Sequence, residues 1–488
     1  MLKLGSESLC LPIAQLINKC ISSGKFPSSM KYADVCPIFK KGNNMDIANY
    51  RPVSILPSMS KIFEKVIIEQ LSTYFENILT PYVSGFRRQH SCETVLVRMV
   101  ENVKKALDEG KVVCAVLIDL SKAFDCLPHK LLVSTFKAYG VSLSACNVLT
   151  SYLRDRKQRV RIGSSKTDWL TMKKGSPQGS IFGPFTYNVF TNDVFMLMDD
   201  DVDVYNYADD NTLVCSGYNY EDVKSKVLDY VRKMILWFEE NNMKVNPDKF
   251  QCIVFGKADN IGTFEINGNQ IEAESSVKLL GMCIDNKLNF NDHVTEISRK
   301  AGRQVQVLAR LSRVLNYENK MLLYNSFIEC YFNYCSVIWH STSNESTLKI
   351  EKIQEKALRF ITLDFSSSYH DLLNVCNKSP LYVIRLRKIL ELVFKILNKK
   401  TPMYLSIFAK RKISVRTLRR CNDLHLPKFK TILYGKKTMT YLAAMLWNSL
   451  DNDIQNAITL TNFKTQINKW SGPKCKCGFC IQCIISNR

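Results

Sequence analysis

Apolar residues recur along the chain with two periods, and the switches between them mark out its elements. Leu9, Ile13, Leu16, Ile17 and Cys20 fall on one face of a short helix that Gly24 and Pro27 close. The segments VCPIF and NYRPVSIL, within residues 33–56, predict a hairpin around Lys40-Lys41-Gly42. Helical spacing returns at Ser60 with Ile62, Phe63, Val66, Ile67 and Leu71. It returns again behind Ser91, a predicted N-cap, with Val95, Leu96, Met99, Val100 and Val103 before Gly110. VVCAVLID (residues 112–119) is apolar without alternation, the pattern of a strand covered on both faces. A helix over 129–139 and a strand pair within 151–174 come next, then a helix over 220–242. Single strands at 250–256 and 277–285 flank a hairpin at Asn267-Gly268. From residue 291 the spacing is helical, and the 290s are the predicted domain boundary.

In VYNYADDNTLVC (residues 204–215) two strand-like flanks enclose a predicted turn, Ala208-Asp209-Asp210-Asn211. Successive side chains on a strand point to opposite faces, so adjacent carboxylates share one site only at a turn. Taken alone, the Asp-Asp pair reads either as a polar hairpin tip or as half of a cation site. Asp119 adds a third acid at the end of a buried strand, where burial raises a carboxyl pKa unless a cation compensates. Between them, KKGSPQGSIFGPFTYNVFTNDV sets Gly175, Gly179 and Gly183 with Pro177 and Pro184 in a loop suited to close backbone approach to a ligand. Three converging carboxylates repel one another; two divalent cations neutralise them and suit in-line phosphoryl transfer.

Composition narrows the partner. A net charge of +22, from 67 basic and 45 acidic residues, favours a polyanion, nucleic acid before a membrane surface. With 46% hydrophobic and 10% aromatic residues, the chain is globular and not disordered. Its 18 cysteines are scattered, and 488 residues can build cores without disulfides, so reduced thiols and a nuclear or cytoplasmic, non-secreted protein are expected. The start lacks a signal-peptide pattern, and no apolar run approaches the roughly 18 residues that span a bilayer.

Six blocks, in order, resemble one family. FKKGNNMDIANYRPVSILPSMSKIFEKV with SGFRRQHSCET, AVLIDLSKAFDCLPHKLL, the SPQGS loop, YADD, WFEENNMKVNPDKFQCIVFG and VKLLGMCIDNKLNFNDHV resemble the reverse transcriptases of non-LTR (LINE-type, jockey-like) retrotransposons over residues 1–365. The resemblance implies an α+β right-hand polymerase that extends a primer 3′-end on an RNA template with deoxynucleotides. Residues 1–110 would be the N-terminal segment and fingers, 111–290 the palm and 291–365 the thumb. It further implies two Mg²⁺ ions held by Asp119, Asp209, Asp210 and the Leu120 carbonyl, with the three aspartates catalytic. Phe124, five residues after Asp119, matches the steric gate that excludes a 2′-hydroxyl. Lys40 or Lys41 and Arg51 would reach the triphosphate or template. Gln178 and Gly179 would line the nucleotide, and Lys249 would protonate pyrophosphate. Partners would be RNA template, DNA primer or target, and deoxynucleotides.

The aromatic at 124, where an RNA-replicating polymerase is expected to carry an acid, separates the chain from viral RNA polymerases. The SPQGS loop separates it from intron maturases. A catalytically silent nucleic-acid-binding remnant remains the alternative in another class. The motifs start at the fingers, so the upstream endonuclease of such elements is expected to be missing.

Residues 366–474 read as a basic helical extension, either binding RNA backbone or simply presenting a solvated charged face. In the tail at 475–488, Cys475, Cys477, Cys480 and Cys483 could hold Zn²⁺ tetrahedrally or be reduced thiols.

Overall fold

The apolar run at 112–119 forms the strand Val112–Ile118, and its two faces explain why it does not alternate. Val113, Ala115 and Leu117 face one hydrophobic core. Val112, Cys114, Val116 and Ile118 face the other. The structure is a computed structural model that describes residues 4–258, 261–412, 423–470 and 472. The four Cys-tail positions therefore lie outside the described residues.

Val112–Ile118 pairs antiparallel with Gln251–Phe255 on one side and Asp210–Gly217 on the other, and Asp203–Tyr207 completes a four-stranded sheet. The helix Tyr220–Glu240 covers the face that carries Cys114 and Cys215, burying Val227, Val231 and Met234. The helix Cys92–Asp108 lies in the core on the opposite face. A second sheet, toward the N-terminus, joins Tyr32–Phe39, Tyr50–Ile55 and Lys157–Ile162. Asp34 ties it to the basic strand through Arg159 at 2.8 Å and Arg161 at 3.4 Å. Beyond Asn291 the described chain is helical, led by Asn291–Leu311, Asn344–Thr362 and Leu381–Leu397. The α+β arrangement thus follows the sequence expectation.

One element differs. Residues 277–285 were expected as one strand but form a hairpin, Ser276–Leu279 and Met282–Asp285. Its turn puts Leu280 (φ +47°) and Gly281 (φ +81°) in the left-handed region. Leucine rarely adopts that conformation, so nothing but the single glycine hints at the turn.

The Cys92–Asp108 helix shows how the C-terminal segment is joined to the sheet. Ser91 and Thr94 form its reciprocal cap. Its apolar stripe is buried as expected, and so are Arg98, Glu101 and Lys104 on its other face. Glu101 accepts from the Met439 and Thr440 amides at 2.7 and 2.9 Å and from the Thr440 hydroxyl at 2.6 Å, capping the helix Met439–Asn448 from outside. Glu351 does the same for Leu381–Leu397 through the Leu381 and Tyr382 amides. Glu101→Ala strands three donors at a buried helix start, and the expected cost is about 3 kcal/mol in urea unfolding. A midpoint equal to wild type would contradict this role.

Candidate active site

The hairpin expected at 204–215 is present, but its turn is tighter than the sequence suggests. Tyr207 pairs with Asp210 and Asn206 with Asn211, leaving a two-residue loop of Ala208 and Asp209. Ala208 sits at φ +56°, where a Cβ is disfavoured. The buried Asn206 amide holds the loop, donating to the Ala208 carbonyl at 2.8 Å and to Asn211 Oδ1 at 2.9 Å. Gly85 packs so close that a Cβ on it would collide with the Ala208 backbone nitrogen and stand 2.9 Å from its Cα. Arg98 anchors the outer strand. It donates to the Val204 carbonyl at 3.0 Å, pairs with Asp203 at 3.2 Å and stacks among Tyr82, Tyr205 and Tyr404.

Asp119 follows Ile118, whose register partner is Asn211, so the strand pairing delivers it beside the hairpin tip. Leu120 continues into a two-residue pairing with Val245. Asp210 is reached by solvent, yet partial burial, then the charges of Asp209 and Asp119, push its carboxyl up to about 6. Burial and the two neighbouring carboxylates act in the same direction. The Lys249 ammonium stands 3.0 Å from Asp119 and partly neutralises the cluster. Among the described residues no three His, Cys, Asp or Glu side chains are grouped to hold a metal ion as they stand, with the Asp119 carboxylate paired to Lys249.

Phe124 lies in a short helix, Ala123–Cys126, turned by Lys122 at φ +51°. Its ring rests on Tyr187 (centroids 4.8 Å apart) with Phe86 edge-on at 6.2 Å. Gln178 is not free: its side-chain amide donates to both oxygens of Asp125 at 3.0 and 3.1 Å, and its backbone carbonyl accepts from the Ser54 amide at 2.7 Å. Gly179 was expected to admit a ligand. Its φ of +134° and the Ser54 carbonyl, 2.5 Å from where a Cβ would sit, bring the loop against the Tyr50–Ile55 strand. Lys40, Lys41 and Arg51 are exposed on the basic hairpin.

Four participants escaped the sequence reading. Asp125 orients Gln178, and Gly85 seats the hairpin turn. Buried Glu64 accepts from the Ile181 amide at 2.8 Å and the Phe182 amide at 3.4 Å, holding the loop that carries Gln178. Tyr187 is fully buried behind Phe124 with a hydroxyl that has no hydrogen-bond partner among the described residues. Burial and the nearby Asp209 and Asp210 raise its pKa far above the ordinary phenol value. Only Gly85, inside SGFRRQHS, left any signal.

A family model described as reverse transcriptase (RNA-dependent DNA polymerase) matches residues 38–284, just over half of the chain. The chain belongs to the reverse transcriptase family. The RNA-directed DNA polymerase from mobile element jockey of Drosophila melanogaster is 28% identical over 367 residues, 72% of this chain and 40% of that protein. The probable RNA-directed DNA polymerase from transposon BS of the same organism is 29% identical over 373 residues, again 72% and 40%. The kinship is thus with jockey-type mobile elements, as the motif order implied, and the chain spans about 40% of the length of these curated relatives. A solved apo telomerase of Candida tropicalis aligns with TM-score 0.43 and 12% identity over 78% of this chain and 67% of that one, too loose a likeness to carry residues across.

The elevated Asp210 has a measurable consequence without metal. A carboxyl raised in the folded state favours folding when protonated, so its penalty is absent below the unfolded pKa and grows as pH rises toward 6. In EDTA, Asp210→Asn should therefore melt higher than wild type at pH 7, and the gap should close by pH 4. A gap independent of pH would show that Asp210 does not feel its neighbours.

Proposed function

We propose that the chain is an RNA-directed DNA polymerase that extends primer 3′-ends with deoxynucleotides. The observation that carries this reading is the strand pairing that brings Asp119, after Ile118 opposite Asn211, beside the Asp209-Asp210 hairpin tip in a reverse transcriptase family chain. Such a cluster favours cations. Asp119, Asp209 and Asp210, with the Leu120 carbonyl, would hold two Mg²⁺ ions, which supply Lewis acidity for the attacking hydroxyl and the leaving pyrophosphate. Asp209 and Asp210 are exposed and can re-aim. The Lys249–Asp119 pair is largely solvated, worth about 0–1 kcal/mol, so a divalent ion displaces it readily. Lys249 is then the group to protonate pyrophosphate.

Phe124, backed by Tyr187, serves as the wall that rejects a 2′-hydroxyl, and Gln178, oriented by Asp125, lines the nucleotide. Lys40, Lys41 and Arg51 supply charge for the triphosphate or template. We assign fingers to residues up to 110, palm to 111–290, and thumb and basic extension beyond. Among the described residues no helix is long and apolar enough to cross a membrane. The thirteen described cysteines are all free, which suits a nuclear or cytoplasmic setting.

Primer extension on an RNA template with Mg²⁺ tests the reading. Wild type should extend, and Asp209→Ala should lose roughly three orders of magnitude or more, on the scale of losing an essential electrostatic group. Equal product from both would sink the catalytic claim. Phe124→Val should admit ribonucleotides while deoxynucleotide use persists; unchanged discrimination would reject the gate. The alternative is a remnant that binds nucleic acid without extending it. RNA affinity with no extension by wild type would establish that rival instead.

A further inference from the structure

Far from the aspartates, a cavity of about 340 Å³ opens where the start of the helix Asn344–Thr362 meets Tyr382 and the segment before Met439–Asn448. Its lining contains no carboxylate. It presents Lys436, Lys437, His340 and the hydroxyls of Ser341 and Thr347, beside those of Thr342 and Ser343, which donate to the Asn289 carbonyl and to Asn291 Oδ1 at 3.2 Å. Behind this lining lie two further cations. Buried Lys104 donates to Ser341 Oγ at 3.2 Å and to the Lys437 carbonyl at 3.1 Å. Arg385, 1% exposed, reaches Thr347 Oγ1 at 3.5 Å. The acids that approach them, Glu101 and Glu351, are committed to capping neighbouring helices.

Ser341 Oγ and Thr347 Oγ1 accept from those cations, so each hydroxyl keeps its own proton to donate. Among the described residues, lining His340, 7% exposed, has no hydrogen-bond partner at Nδ1, and Arg385, behind the lining and stacked on Trp339 and Tyr382, has none at Nε and Nη1. Burial, then Arg385 and Lys104, hold His340 neutral, so its ring takes part as a hydrogen-bonding group. The helix that begins at Asn344 turns its positive end to the same space. Excess donors, unpaired buried nitrogens, a helix start and no acid are what a many-oxygened anion requires.

We propose that this cavity is a phosphate-binding site, taking a phosphate carried either on a nucleic-acid backbone or on a small molecule. It shares no residue with the polymerase site and goes beyond the polymerase reading. A primer-extension failure leaves it standing, and its own failure leaves extension untouched.

The test uses the full chain, with Lys437→Glu, Lys437→Arg and, on the exposed side of the same helix start, Lys349→Glu as a charge control. Titration calorimetry with inorganic phosphate at constant ionic strength should give saturable binding to wild type and Lys437→Arg. Lys437→Glu should weaken it at least tenfold, and Lys349→Glu should not. Thermal melting checks folding, and Lys437→Gln replaces any variant that unfolds. A fluorescein-labelled single-stranded RNA then separates the sources. If backbone phosphate occupies the site, phosphate competes with RNA, and Lys437→Glu lowers the ratio of Kd at 200 mM to Kd at 50 mM salt by about 3.5-fold, the share of one phosphate contact. Phosphate binding with an unchanged RNA salt dependence supports a small phosphorylated ligand. No saturable phosphate binding together with identical RNA salt dependence overturns the proposal, as does an equal loss in Lys349→Glu.

Discussion

The constraint on which the rest depends is the burial of charge along one helix, Cys92–Asp108. A buried ion costs several kcal/mol unless it is paired, so each such residue must find a partner and thereby fixes that partner in place. Arg98 takes the outer strand of the hairpin, Glu101 the start of Met439–Asn448, and Lys104 the segment near Ser341. Asp108, at the helix end, gathers the amides of Lys430 and Thr431, which hold its carboxyl below the usual range despite partial burial. One helix thus sets the position of the catalytic-type hairpin and of chain more than three hundred residues further on.

The same device recurs. Glu64 holds the loop start at Ile181, and Glu351 holds Leu381–Leu397. Asp285 gathers the amides of Lys287, Asn289 and Phe290 just ahead of Asn291–Leu311. In each case a carboxylate meets amides at or beside the positive end of a helix. These contacts give direction as well as stability, because a cap works from one side only.

Much of this was legible in the sequence and some could not be. Periodicity marks Val112–Ile118 and Tyr220–Glu240 because their burial is repeated along the element. The acids of the site are legible because charge at a strand end or turn is unusual and the family motifs carry them. Glu64, Glu101 and Glu351 look like any polar helix position, since a capping carboxylate and a solvated one are the same letter and their partners are remote. Gly179 is half legible for a related reason: a glycine signals close approach but not what approaches, and one neighbour here is the Ser54 carbonyl. The turn at Leu280 and the left-handed Ala208 are invisible because neither residue type favours that conformation.

The cage around Arg98 has one further consequence. Tyr82 precedes the sheet, Tyr205 belongs to the hairpin strand, and Tyr404 comes from the C-terminal helical region. The guanidinium is therefore sheltered by three distant stretches of chain at once. Cutting the protein at the end of its recognisable motifs would remove one wall and let water reach a charge that positions the hairpin. The helical region beyond the recognisable motifs thus supplies a wall for the side chain that positions the hairpin.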